Sequence, residues 1–247
     1  LIAYRRGVDT VEKLAIYQGD FLGLDEVYNA FYTRAQILVA PKPAPDTERT
    51  TIPGSFPGDL SVRRFLFEDP IFTVGFGEYT GREPMKAISW TATARTGRML
   101  VKQFDHTMEA SVAVVINVSS GADNHHELVE RCYCLARTLC RQLEDRGIRY
   151  RVYCNASVTG DFSFEKQITE GGGTQHFRLL LEGLARCGTF PAGIPATLFE
   201  RAARQSFNTC GILLITPSRD EEILATARRC TAGNGIALHS VFGEDFP

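Results

Sequence analysis

Six of the eight residues in Ser111-Val-Ala-Val-Val-Ile-Asn-Val118 are aliphatic, and a strand of that composition has no polar face to turn to water. It must be covered on both sides, which is the condition of a central strand in a parallel α/β sheet. The sequence that follows supplies the covers. Helical spacing puts Leu128, Cys132, Leu135, Ala136, Leu139 and Leu143 on one stripe behind Asn124-His-His-Glu127, a capping-box pattern, with Gly147 as the stop. Ile148 to Cys154 reads as the next strand, followed by an irregular stretch. Gln175 to Cys187 reads as a second amphipathic helix with Gly188 as its C-cap, and Pro195 opens a short helix to about Gln205. Gly211 to Thr216 is a buried strand, Ser218 to Glu221 caps a helix ending near Cys230, and Gly235 to Val241 is a further strand. Strands alternating with amphipathic helices predict a doubly wound, mainly parallel α/β sheet over residues 105–247.

Residues 1–104 have a different texture. They are rich in Gly, Pro, Phe, Tyr and Thr, with short apolar stretches such as Ala35-Gln-Ile-Leu-Val-Ala40 and Ser61-Val-Arg-Arg-Phe-Leu-Phe67 bounded by turn formers. That pattern predicts a β-rich, partly sandwich-like region. Pro41-Lys-Pro-Ala-Pro45 ends one ladder, because proline donates no ladder hydrogen bond. Two domains, 1–104 and 105–247, fit a chain of 247 residues that is 44% hydrophobic.

With 27 Lys+Arg against 29 Asp+Glu, the formal net charge of -2 offers no basic surface for tracking phosphates, which argues against a nucleic-acid partner. Seven cysteines scattered from Cys132 to Cys230 fit small buried side chains in a reducing compartment better than a disulfide framework. Cys132-Tyr-Cys134 turns its thiols to different helix faces and has no second pair at zinc spacing. No apolar run approaches the roughly 20 residues of a membrane span. The chain lacks an initiator Met and opens on strand-like sequence, and so reads as an excised fragment.

The stretch Phe76 to Phe104, which runs into the apolar strand, carries Glu78, Tyr79, Gly81, Ile88, Trp90, Ala94 and Arg95. These positions resemble the signature of bacterial proteins usually encoded beside a MoxR-type AAA+ ATPase. That family is known as a domain of unknown function, number fifty-eight, and its C-terminal half resembles a von Willebrand factor A domain. Tyr17 to Leu24 and Ile37 to Pro41 resemble two further elements of the family. Gly77, Arg82, Ser89 and Thr91 depart from the signature, where Arg, Asp, Asp and Lys are usual. The resemblance implies a protein anchored by membrane helices outside this sequence, with the present part facing the cytoplasm. It also implies work with the ATPase in assembly or maturation of other proteins.

In an open α/β sheet, ligands bind outside the carboxyl ends of the strands at a switch in strand order. Three loops are expected at that edge: Asn117 to Gly121, Glu170 to Gln175, and Thr216 to Asp220. In von Willebrand A domains the resemblance makes these the loops of a metal-ion-dependent adhesion site, with Asp-x-Ser-x-Ser, a Thr and an Asp holding Mg²⁺. Here Ser119 and Thr174 match. Asn117 replaces the leading Asp, Gly121 the second Ser, and Pro217 the third-loop Asp. Losing two carboxylates removes most of the charge that draws Mg²⁺ from water, so the site reads as degenerate, with Asp123 and Asp220 as substitute ligands and no cofactor expected. The candidate partner-binding residues are Asn117, Ser119, Ser120, Thr174 and Asp220, joined by Trp90 and Arg95 because Trp and Arg are favoured binding anchors. Trp90 is also expected to pack the junction between the two halves. Gly171-Gly-Gly-Thr174 lacks the Lys of a phosphate loop. The function expected is a non-enzymatic interaction module. Its alternative is a small hydrolase or metal enzyme at the same edge, using His125, His126 and His176.

Overall fold

The computed structural model describes residues 5–20, 22, 26–45, 73–79, 85, 88–104, 111–205, 209–232 and 236–246. The expected strand at 61–67, the signature positions 80–84, 86 and 87, and His106 lie outside the described residues.

Four strands, β5 (Ser111–Ile116), β6 (Arg149–Cys154), β9 (Thr209–Thr216) and β10 (Ala237–Phe242), form one sheet in the order β10-β9-β5-β6. Every pairing in it is parallel. Between β6 and β9 in the chain, β7 (Ala156–Val158) and β8 (Cys187–Pro191) form a separate short antiparallel pair. All six residues of β5 are buried, and so are Asn117 and Val118, as a central strand covered on both faces requires.

Alternation along the strands splits the core into two layers. Val112, Val114, Ile116, Val152, Leu213 and Ile215 face one side, where they meet Cys132, Leu135, Ala136, Leu139 and Leu143 of α2 (His125–Asp145) and Leu180 and Leu184 of α4 (Thr174–Arg186). Ala113, Val115, Tyr153, Ile212 and Leu214 face the other, against Leu198, Phe199 and Ala202 of α5 (Pro195–Gln205) and Ile223, Leu224 and Ala227 of α6 (Glu221–Ala232). The mixed α/β architecture, with a parallel sheet flanked by helices, is therefore present.

Three local expectations are corrected. Asn124 stands at the N-cap of α2 but makes no side-chain cap bond, so the capping box is not formed. Gly188 does not cap α4. The helix turns at Cys187 directly into β8, where the Gly188 carbonyl accepts the Tyr133 hydroxyl at 2.5 Å. Asp220, not Ser218, caps α6: its Oδ1 accepts the backbone N–H of Glu222 at 2.9 Å and of Ile223 at 3.3 Å. Gly147 does end α2, in the left-handed conformation (φ 65°), with Ile148 N–H returning to the Leu143 carbonyl at 2.9 Å.

In the first half, β1 (Gly7–Gly19) and β2 (Glu26–Val39) form an antiparallel hairpin with an irregularity between Val11 and Lys13. Leu14, Ile16, Val27 and Phe31 are exposed on it, since a two-stranded ribbon has no interior of its own. A second ladder joins β3 (Thr73–Glu78) to β4 (Leu100–Phe104) around α1 (Trp90–Thr96), whose N-cap Ser89 accepts the Ala92 N–H. Among the described residues this first half consists of two separate ladders and α1. In the α/β body a short α3 (Phe164–Gln167) packs Phe164 into the core. Among the described residues no helix is long and apolar enough to cross a membrane.

The base of the ribbon is fastened to the α/β body. Arg6 pairs with Glu130 at 2.6 Å, donates to the carbonyls of Leu184 (2.5 Å) and Cys187 (2.6 Å), and stacks 4.2 Å from the Tyr133 ring centre. Past β2, Ala44 N–H donates to Thr138 Oγ1 at 2.8 Å.

Candidate functional site at the carboxyl edge of the sheet

Strand order reverses at β5, which has β6 on one side and β9 on the other, so the crevice beyond its carboxyl end is the switch point. Asn117 follows β5 there, fully buried. Its Nδ2 donates to Thr216 Oγ1 at 3.0 Å, across to the end of β9, and to the Ser119 carbonyl at 3.1 Å. Its Oδ1 accepts Ser119 N–H at 3.2 Å and Asn155 Nδ2 at 2.9 Å, from the end of β6.

Asn155 completes the lattice. Its Oδ1 accepts Val118 N–H at 2.8 Å, and its Nδ2 also lies within donating distance of Ser119 Oγ (3.2 Å) and the Gly193 carbonyl (3.3 Å). Its backbone carbonyl accepts Ala192 N–H at 2.7 Å. Ser120 Oγ accepts Ala122 N–H and lies 3.3 Å from Ser218 Oγ. The donors and acceptors of both amides are thus used inside the protein, and among the described residues no carboxylate touches the lattice. The position where an Asp at residue 117 would offer an oxygen to a cation is taken by an N–H donor from Asn155.

The substitute carboxylates do not reach it. Asp220 is engaged in capping α6, and Asp123 is exposed. Around the lattice, Phe190 near the end of β8 and Ile194 on the segment joining β8 to α5 stand 71% and 64% exposed. The Phe190 ring lies 6.1 Å from that of His125, whose Nε2 donates to the Thr189 carbonyl at 2.8 Å. A cavity of about 180 Å³ opens between Asn155, Gly193, Thr197 and Arg201.

Thr174 is not part of this edge. Gly171 bridges to Tyr150 at the beginning of β6, so the Gly-rich loop lies outside the amino ends of the strands, and exposed Thr174 starts α4 there. His176 is at that opposite edge as well and does not join His125 and His126. The sheet-start loop surrounds Glu144, from the last turn of α2, which is 11% exposed. Its carboxylate accepts Gly173 N–H at 2.5 Å and the Tyr150 hydroxyl at 3.0 Å, with His176 Nδ1 at 3.7 Å. Glu144 thereby supplies the negative charge that the N-terminus of α4 favours, which its own cap residue, Gly173, cannot. Burial pushes the Tyr150 hydroxyl well above its ordinary value, so it remains a donor.

Trp90 and Arg95 lie on α1. Trp90 is 62% exposed, which corrects the expectation that it packs a junction, and Arg95 is exposed on the last turn. Arg98 pairs with Glu78 at 3.0 Å in the same exposed ladder.

Sequence reasoning missed Asn155, Thr216 as a bridging hydroxyl, and the Phe190–Ile194 rim. A polar residue directly after a strand that pairs with the switch-point strand is the signal that would have found Asn155. No protein-family model matches the chain, and neither a curated protein nor a solved structure shows significant similarity to it.

Proposed function

We propose that the chain is a non-enzymatic protein-docking module of a membrane-associated bacterial protein. In this reading the α/β domain is von Willebrand A-like, its adhesion site has become metal-independent, and the carboxyl edge docks a MoxR-type AAA+ ATPase from the cytoplasmic side. The observation that carries the docking surface is the pairing of two exposed apolar side chains, Phe190 and Ile194, with a rim held rigid by buried amides. Large exposed apolar groups beside fixed polar ones are the composition of a binding anchor. The choice of ATPase rests on the resemblance in residues 76–104.

The test is a pull-down of purified, nucleotide-free ATPase by this chain, run in Mg²⁺ and in EDTA. Equal recovery in both is expected, with at least fivefold less for the double variant Phe190→Ala, Ile194→Ala. Recovery that requires Mg²⁺, or that ignores the double variant, would overturn the reading.

A further inference from the structure

A cleft of about 390 Å³ lies where the end of β2 passes the first half of α2, on the side of that helix away from the sheet. One wall is apolar, formed by Val39, Ala40 and Pro41. Its charges are unevenly matched. Glu130 has both oxygens occupied by Arg6, at 2.6 and 3.0 Å, and Glu127 is held by Arg131 at 2.7 Å. Arg5 and Lys42 also line the cleft, are exposed, and have no counter-charge among the described residues. His126 offers a third donor at the rim, and the half-buried Cys134 thiol forms part of the floor.

We infer that this cleft binds a small organic oxyanion, with its anionic head between Arg5 and Lys42 and its apolar body along Val39 to Pro41. Two cations with no counter-charge among the described residues, at the mouth of a partly apolar cavity, attract such a molecule from solution and hold its head by charge-assisted hydrogen bonds. A cleft of this volume suits a small organic molecule rather than a macromolecular segment. This site is independent of the carboxyl-edge docking surface.

Phenyl phosphate, with inorganic phosphate as its headgroup-only counterpart, tests the assignment by titration calorimetry on the 247-residue chain at low ionic strength. Phenyl phosphate is expected to bind about tenfold more tightly than inorganic phosphate, because the ring leaves water. It should also slow alkylation of Cys134 by iodoacetamide, read by peptide mass spectrometry. The double variant Arg5→Glu, Lys42→Glu alters only exposed positions of the cleft and should lose at least tenfold in affinity while keeping its melting temperature. Absence of binding by the unaltered chain, or unchanged binding by the double variant, would overturn the site. Equal affinity for the two anions would remove the apolar wall from it.

Discussion

At the carboxyl edge of the parallel sheet the loops are tied by amides, and at the amino edge by a carboxylate. Asn117 and Asn155 each donate and accept, so two neutral side chains join the ends of β5, β6 and β9 without leaving a charge to satisfy. Glu144 only accepts, and it gathers a backbone N–H, a phenol and the first turn of α4 around one negative group. The neutral lattice is sensitive to the orientation of each amide, because every atom has a partner of one kind. The carboxylate is sensitive to its charge and tolerant of orientation, since both oxygens accept. The resemblance to von Willebrand A domains led to a carboxyl edge that has lost its carboxylates, with Asp123 and Asp220 as substitutes; the amides fill that edge, and the carboxylate that gathers a loop is Glu144 at the other.

The largest break in this comparison is expected from Asn155→Leu. The change strands Val118 N–H, removes one of the two donors to Asn117 Oδ1 and sets an apolar side chain among buried polar groups, and a loss of about 4 kcal/mol in unfolding free energy is expected from urea titration. A loss below about 1 kcal/mol would show that the lattice is not what holds the edge.

Asn117→Asp comes next. The new carboxylate oxygen would face the Ser119 carbonyl, an acceptor against an acceptor, at a fully buried position, and about 3 kcal/mol is expected to be lost. Mg²⁺ is expected to leave the melting temperature of this variant unchanged, because Asn155 Nδ2 occupies the approach to the 117 side chain. A rise of several degrees on adding Mg²⁺ would reveal a cation site waiting for its charge.

Glu144→Gln sharpens the other side of the comparison. One acceptor oxygen survives and the charge does not, so a loss of about 1 to 2 kcal/mol is expected, with the melting temperature as readout. An effect as large as that of Asn155→Leu would mean that both edges are tied equally tightly.

The layers of the fold were legible because burial imposes periodicity. The mainly aliphatic β5 and the stripe from Leu128 to Leu143 leave one arrangement open, a covered central strand with a helix on its face. The site was only half legible, for a geometric reason. A Gly-rich loop between two elements carries no mark of which end of the sheet it visits, and only the bridge from Gly171 to Tyr150 fixes it at the amino end. Capping was misread for a related reason. Asn124, Ser218 and Asp220 all suit a helix start, and the choice among them depends on what else each side chain meets: Ser218 meets Ser120, which leaves α6 to Asp220. Trp90 shows the limit of arguing from residue type, since a large aromatic suggests burial and this one is exposed.

β8 has a mechanical meaning that follows from what grips it. Arg6, at the root of the ribbon, holds the Cys187 carbonyl at one end of this strand, and just past the other end Asn155 holds Ala192. Five residues of extended chain, about 17 Å long, therefore span the distance between the ribbon's anchor and the amide lattice. The two grips share one strand, with Phe190 between them, so the first half of the molecule and the carboxyl edge are joined by a single short piece of backbone.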